Sequence, residues 1–492
     1  MDNEETYVIT IDQSTSATKG ILFNLKGEKI YEYSLSHAQY YPKPGWVEHD
    51  PEEIYKNTLA VISILKEKIA EENILGLTIT NQRETVIMWD KNSGKPYYNA
   101  IVWQCLRGAE ICDEYRKRGY EKMITEKTGL VLDPYFSASK IKWLIDNIAP
   151  PTNRLLIGTI DSWLIWKLTE GRVHATDYSN ASRTMLLNIK KLCWDEELLN
   201  LFGIPSSAMP KIYSSNSIFG FSDCGGLLRR EIPISGVLGD SQASLFGEGC
   251  FKRGMVKVTY GTGSSVAMNI GHEYMVPPKG IVTSIGWRIN NDVSYILEGN
   301  VHATGATIRW LIDNIGLSVE LDNIEKMCLS LEDNEGVYFV PAFSGLGAPY
   351  WENRAKGIIY GLTLKTKKEH IVRSAVEAIA YQIKDVIEVL MKGSRIKINK
   401  IKVDGGAARN NFLMQFQADI LGIPVLRATI EDMSAFGSFL MGGLGFKIWK
   451  SLDDLEKLLS EKKWDIFTPK LSPEKRKKYY NEWRKVVKKS LP

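Results

Sequence analysis

Cysteine is scarce: six residues in 492, at positions 105, 112, 193, 224, 250 and 328, with no Cys-x-x-Cys pair. A chain of this length needs no disulfide staples, so free thiols in a reducing cytoplasm are the expected state. The six histidines are equally dispersed and never stand at metal-ligand spacing, which argues against a zinc or haem site. No apolar run approaches the roughly 18–20 residues that span a bilayer. The opening Met-Asp-Asn-Glu-Glu lacks the cationic-then-apolar profile of a secretory signal. Neither membrane insertion nor secretion is expected. Also missing are G-x-x-x-x-G-K-[ST] and the H-R-D and D-F-G landmarks, which excludes a P-loop enzyme and a protein kinase.

Charge is nearly balanced. The formal net charge is +4, yet the last 22 residues alone carry a net +6, which leaves −2 for residues 1–470. Basic character is a tail property, so no nucleic-acid groove is expected. Within that tail Tyr479, Tyr480, Trp483, Val486 and Val487 recur at helical spacing. They predict a C-terminal amphipathic helix docked by its aromatics, with its lysines in water.

What is present is size and a repeated pattern. Single cores stop growing near roughly 250–300 residues, so at least two domains are expected. Tyr7–Asp12 reads as a buried strand, Gln13–Thr18 as a polar turn and Lys19–Leu25 as its partner strand. Met255–Tyr260, Gly261–Ser264 and Ser265–Ile270 repeat that grammar about 250 residues later. Two related α/β domains follow, 1–250 and 251–492, packed directly on one another around a cleft. Asp50 and Pro51 predict the start of a helix over Pro51–Ala70, and a long apolar stripe predicts another over Glu369–Met391.

Three turns could hold phosphates. Asp12-Gln13-Ser14-Thr15-Ser16-Ala17-Thr18-Lys19 places an acid at a strand end beside four hydroxyls. It reads either as a polar hairpin or as a phosphate turn whose acid holds Mg²⁺ through water. Gly261-Thr262-Gly263 offers unobstructed amides. Asp404-Gly405-Gly406-Ala407 leads from a strand to a helix at Phe412–Leu421, where a flat ligand could approach the backbone. Asp240, after the strand Ile232–Leu238, reads as a general base or as the N-cap of a helix over Ser241–Glu248. Arg83 and Glu84 read as a surface ion pair or as partners for vicinal hydroxyls.

The chain resembles the FGGY carbohydrate kinases from end to end, and among them those acting on glycerol. The resemblance runs through YPKPGWVEHDPEEIY (41–55), TNQRET (80–85), YNAIVWQC (98–105), TGLVLDPYFSASKIKW (128–143), TDYSNASRTML (176–186), PAFSGLGAPYW (341–351) and NNFLMQFQADILG (410–422). It implies two actin-like, ribonuclease-H-like ATPase domains of α/β class with an interdomain catalytic cleft. ATP and Mg²⁺ are the implied cofactors, and a small polyol or sugar is the implied partner. The expected reaction phosphorylates a primary hydroxyl, with glycerol to glycerol 3-phosphate as first candidate, in a cytoplasmic homodimer or homotetramer. A four- or five-carbon polyol or ketose is the alternative substrate. An actin-like or chaperone-like ATPase is the rival of another class.

By this resemblance Asp240 is the base, and Asp12 with Asp240 serves the metal. Thr15, Ser16, Thr18, Lys19, Gly261, Thr262 and Gly263 hold phosphates, while Gly305, Ile308, Gly406, Ala407 and Asn410 face the adenosine. Arg83, Glu84, Trp103, Tyr135, Asp240, Ser241 and Ser265 form the substrate side. Ser241 and Ser265 depart from the glutamine and phenylalanine the pattern leads one to expect, and Ser14 stands in place of a glycine. Residues 223–231 lack the glycine-rich, arginine-ended loop that binds fructose bisphosphate in bacterial members, so inhibition by that effector is not expected.

Overall fold

A computed structural model describes residues 6–314 and 321–492. Two sheets share one plan. In the first, the central strand Tyr7–Gln13 runs antiparallel to Ala17–Asn24 and parallel to Ile74–Asn81. Lys29–Ser36 flanks the hairpin, and Ile232–Gly239 and Gly220–Ser222 extend the other side. In the second, Val256–Tyr260 runs antiparallel to Ser264–Gly271 and parallel to Ile401–Asp404. Asp292–Val301 and Val282–Ile289 lie beyond the hairpin, with Val425–Ala428 and Trp464–Phe467 on the opposite edge. The repeat legible in the sequence is thus a repeat of topology. The central strands are apolar and β-branched because helices or loops cover both faces. Parallel neighbours place their C-terminal ends at the hairpin turns, which is where open α/β sheets bind ligands.

A small third sheet combines Glu48–His49, which precedes Ile74–Asn81, with Ala100–Ile101, Val86–Asp90 and Leu155–Thr159, which follow it. The helix Ser137–Ile148 packs against it, and its leading turn carries Tyr135. Lys140, fully buried, donates to the carbonyls of Pro134, Tyr135 and Phe136 at 2.6–2.9 Å and so fixes that turn.

The helices Asp240–Gly247 and Met433–Gly445 cross where the halves meet. A Cβ on Gly437 would stand 1.8 Å from the carbonyl oxygen of Ala243, so only glycine allows this spacing. The C-terminal helix, Pro473–Ser490, is capped by Ser472, whose hydroxyl accepts from the Lys475 N–H. Its Trp483, Val486 and Val487 are buried, and its lysines are exposed. The Trp483 indole and the Tyr480 hydroxyl donate to Asp385 on the long helix Lys368–Ser394 at 2.8 and 2.7 Å. Among the described residues no helix is long and apolar enough to cross a membrane.

Two local expectations need correction. The first turn is only Ser14–Ser16, because the Ser14 N–H and hydroxyl both donate to the Ala17 carbonyl and tighten it. The first helix ends at Lys66 rather than Ala70, although Asp50 caps it as expected, accepting from the Glu52 N–H.

Candidate active site

Asp240 opens its helix directly after the strand Ile232–Gly239. Gly239 is the N-cap, and the Asp240 carboxylate instead accepts from the Ser241 N–H at 2.6 Å. Its side chain remains 43% accessible and lies 3.2 Å from the Arg83 Nε. Desolvation raises its carboxyl above the ordinary range, and Arg83 opposes that rise.

Arg83 and Glu84 are not a surface pair; both are buried. Both terminal nitrogens of Arg83 donate to Glu298, at 2.7 and 2.8 Å, and Nη1 also reaches Gln242. Glu84 accepts from Arg183 Nε at 2.7 Å, and Arg183 Nη1 lies 3.2 Å from Glu298. Desolvation would raise the Glu298 carboxyl, but Arg183 and Arg83 hold it down at about 2. One buried charge lattice therefore crosses the cleft, since Glu298 belongs to the second sheet and the arginines to the first half.

Trp103 and Tyr135 form one wall, with ring centroids 5.3 Å apart. The Trp103 indole donates to the Thr15 hydroxyl at 2.9 Å and so ties this wall to the first turn. Ser241 and Ser265 face each other across the halves, their hydroxyl oxygens 2.6 Å apart. The substrate-side residues are thus all adjacent.

Asp12 is the penultimate residue of the first strand, and its carboxylate accepts from the Ser434 hydroxyl at 2.7 Å. Its carboxyl is raised to about 6, by desolvation first and then by Asp240 and Asp432, against that hydrogen bond and Lys19. Thr15 and Ser16 sit at the turn, partly or fully exposed. Thr18 is wholly buried, so its side chain is withdrawn from solvent. Lys19 is turned to Asp432 at 2.6 Å, an ion pair it must leave to reach a phosphate.

The second turn, the helix Gly305–Asp313 and the Gly405-Gly406 turn lie together. The Gly305 N–H donates to the Gly261 carbonyl at 3.0 Å, and the Ala306 N–H donates to the Thr262 carbonyl at 3.0 Å. Gly405, at φ +92°, lets the backbone pass the Tyr260 carbonyl, 2.6 Å from where a Cβ would stand. Gly406 has open space beside it, and Gly261 and Thr262 are exposed. Ile308 is buried in its helix and Ala407 is half-buried. Asn410 caps the helix Asn411–Leu421 through its Oδ1, which leaves its amide hydrogens free of that bond.

Sequence reasoning missed Glu298, Arg183, Gln242, Asn300, Asp432 and Ser434. An acid inside the apolar strand Tyr295-Ile296-Leu297-Glu298 was a readable signal, because a buried carboxylate demands a cation. Arg183 lay within a motif already noted. Asp432 and Ser434 carried no local signal, since their partners are more than 400 positions away.

The N-terminal domain model of the FGGY family of carbohydrate kinases matches residues 7–247, and its C-terminal domain model matches residues 256–446. Glycerol kinase 1 of Thermotoga maritima is 52% identical over 492 residues, covering 99% of each chain. A glycerol kinase of Caldanaerobacter subterraneus is 48% identical over 495 residues, covering 99% of this chain and 98% of its own. The crystal structure of Plasmodium falciparum glycerol kinase with ADP superposes with a TM-score of 0.92 at 37% identity, covering 99% of both chains. A xylulose kinase from Lactobacillus acidophilus shares the fold, with a TM-score of 0.90 at 21% identity over 98% of both chains. With both halves matched in order and relatives aligned over their full length, the chain belongs to the FGGY family of carbohydrate kinases.

Proposed function

We propose that this chain transfers the γ-phosphoryl group of ATP to a primary hydroxyl of glycerol, giving glycerol 3-phosphate and ADP. The observation that carries this reading is the placement of Asp240. It stands at a strand end in the cleft, fixed by Arg83 and part-open to a ligand, and near enough to Asp12 for its charge to raise that carboxyl. The glycerol kinases that match over the whole chain support the substrate.

In this reading Asp240 accepts the proton of the attacking hydroxyl as its oxygen bonds to the γ-phosphorus and the bond to the β–γ bridging oxygen breaks. Arg83 keeps Asp240 oriented and opposes the rise that burial gives its carboxyl, which favours the ionised form a base requires. Glu84 and the remaining Arg83 hydrogen meet the other hydroxyls, and Trp103 and Tyr135 cover the carbon chain. The Thr15–Ser16 turn and the exposed Gly261–Thr262 turn face the phosphates, and the open Gly405–Gly406 turn takes the nucleoside. Positioning and charge neutralisation supply most of phosphoryl transfer.

Mg²⁺ fits the oxygen donors of Asp12 and Asp240. Asp12 is raised by burial and by the nearby Asp240 carboxylate, a charge a cation would relieve, and a magnesium ion uses one or two carboxylates plus phosphates rather than a full protein cage. When bound, it would neutralise phosphate charge.

ADP release coupled to a spectrophotometric readout, with and without glycerol, tests the reading. Strong glycerol stimulation is expected, and activity indifferent to every small alcohol would instead favour an actin-like ATPase. Asp240→Asn should fold, bind ATP and lose turnover by roughly 10²–10⁴-fold; near-normal turnover removes Asp240 from the role.

A further inference from the structure

Beside the Trp103–Tyr135 wall lies a run of hydroxyls and an amide rather than another ring. Ser265 and Asn300 are direct partners on adjacent antiparallel strands, so their side chains share one face. Ser265 Oγ meets Ser241 Oγ at 2.6 Å, and Ser241 follows the Asp240 base. Asn300 Nδ2 donates to the Tyr135 hydroxyl at 3.3 Å. Asp240, Ser241, Ser265, Asn300 and Tyr135 therefore form a continuous polar arc.

One member of the arc is incomplete. Asn300 Oδ1 is buried and accepts no hydrogen bond. Buried amide oxygens are almost always paired, and one left unpaired is unfavourable. The missing donor is a hydroxyl of a ligand or a water standing in its place. A triol uses its groups on Asp240, Arg83 and Glu84, which leaves Asn300 and the serine pair over.

We infer that Ser241, Ser265 and Asn300 form a fourth hydroxyl subsite, and that the pocket accepts a four-carbon polyol alongside glycerol. The inference rests on the kinase reading above and extends it. The chemistry is unchanged: a terminal hydroxyl loses its proton to Asp240 and gains the phosphoryl group, and ADP leaves. The extra carbon and its hydroxyl extend away from the reacting end, where the hydroxyl donates to Asn300 Oδ1.

The full-length enzyme is assayed by ADP release with glycerol, erythritol, D-threitol and L-threitol at saturating ATP. At least one tetritol is expected to be turned over with kcat/KM within about a hundredfold of glycerol. In Asn300→Ala the tetritol-to-glycerol ratio of kcat/KM should fall about tenfold, the loss of one hydrogen bond to a ligand hydroxyl. Ser265→Ala provides the same reading if Asn300→Ala does not fold. Glycerol turnover without detectable tetritol turnover, or a selectivity ratio that neither substitution moves, overturns the subsite. Failure with glycerol and every tetritol alike would instead overturn the kinase reading itself.

Discussion

Glu298 receives both terminal nitrogens of Arg83, at 2.7 and 2.8 Å, from across the cleft. The acid is fully buried and also faces Arg183. The contact does two things: together with Glu84 it balances the two buried guanidinium groups of Arg83 and Arg183, and it leaves the Arg83 Nε pointed at Asp240. Glu298→Gln keeps the shape and removes the charge. Breaking a buried pair typically destabilises by about 3–5 kcal/mol, so a clear loss in thermal unfolding temperature is expected. The protein that remains folded should show a lower kcat, because Asp240 loses its orienting partner. Glu298→Asp retains the charge and should recover part of kcat. Variants that lose stability with unchanged kcat would confine Glu298 to a structural role.

The raised carboxyl of Asp12 gives a pH signature. Its folded value is about 6 against an ordinary 3.8, so between those values the folded state binds more protons than the unfolded one. Its contribution to stability is therefore full below about 3.8 and is lost as pH rises through about 6. Asp12→Asn should raise the unfolding temperature at pH 7–8 in the absence of Mg²⁺. Added Mg²⁺ should stabilise the parent protein, with ATP present, more than the variant. Equal unfolding temperatures with and without the acid at pH 8 would show that Asp12 carries no such strain.

Acid should weaken the fold through a different pair. His49 is fully buried, its ring centroid 4.6 Å from that of His37. Burial first, and His37 second, lower its pKa to about 3, while burial also lowers that of His37, whose Nε2 contacts the Thr15 carbonyl at 3.0 Å. The His49 ring stays neutral in the fold but protonates near 6.5 when unfolded, and burial shifts His37 in the same direction. The His49 contribution is therefore present above 6.5 and lost as pH falls toward about 3, by up to about 1.4 kcal/mol per pH unit. Urea midpoints measured from pH 7 to pH 4.5 should fall, and His49→Gln should flatten the slope. An unchanged slope would assign acid sensitivity elsewhere, for example to half-buried His174, whose pKa desolvation lowers to about 4.

The legibility of this chain follows from the range of its interactions. The paired hairpins were visible because Tyr7–Gln13 and Val256–Tyr260 are short apolar runs, each closed by a local turn. Asp240 and the glycine turns were visible for the same reason. What escaped was set by long-range contact. Arg83 reads in the sequence as a partner for hydroxyls or for Glu84, whereas Glu298, 215 positions away, holds both its terminal nitrogens and leaves only part of the guanidinium for a ligand. Lys19 looked like a phosphate ligand until Asp432, 413 positions away, was found beside it. Asn300 is polar in an apolar strand, but only the register opposite Ser265 gives it meaning.

The basic tail is where composition alone would have misled. Its charge suggests an anionic partner, yet its attachment is aromatic. Trp483 is completely buried, stacks on Tyr381 with ring centroids 5.2 Å apart, and donates to Asp385 together with Tyr480 and Tyr350. Desolvation raises the Asp385 carboxyl to about 6, against those three donors. Trp483→Ala removes a buried ring, which typically destabilises by about 3–5 kcal/mol, and also takes one donor from a buried acid. The second half should then unfold at lower temperature. Exchanging Lys477, Lys478, Lys485 and Lys488 for glutamine touches only exposed side chains, and kcat/KM should stay within about twofold, since surface charges this far from a site act weakly. A variant with all four lysines replaced that loses turnover while keeping its unfolding temperature would show that the charge, and not the aromatic anchor, is what the helix supplies.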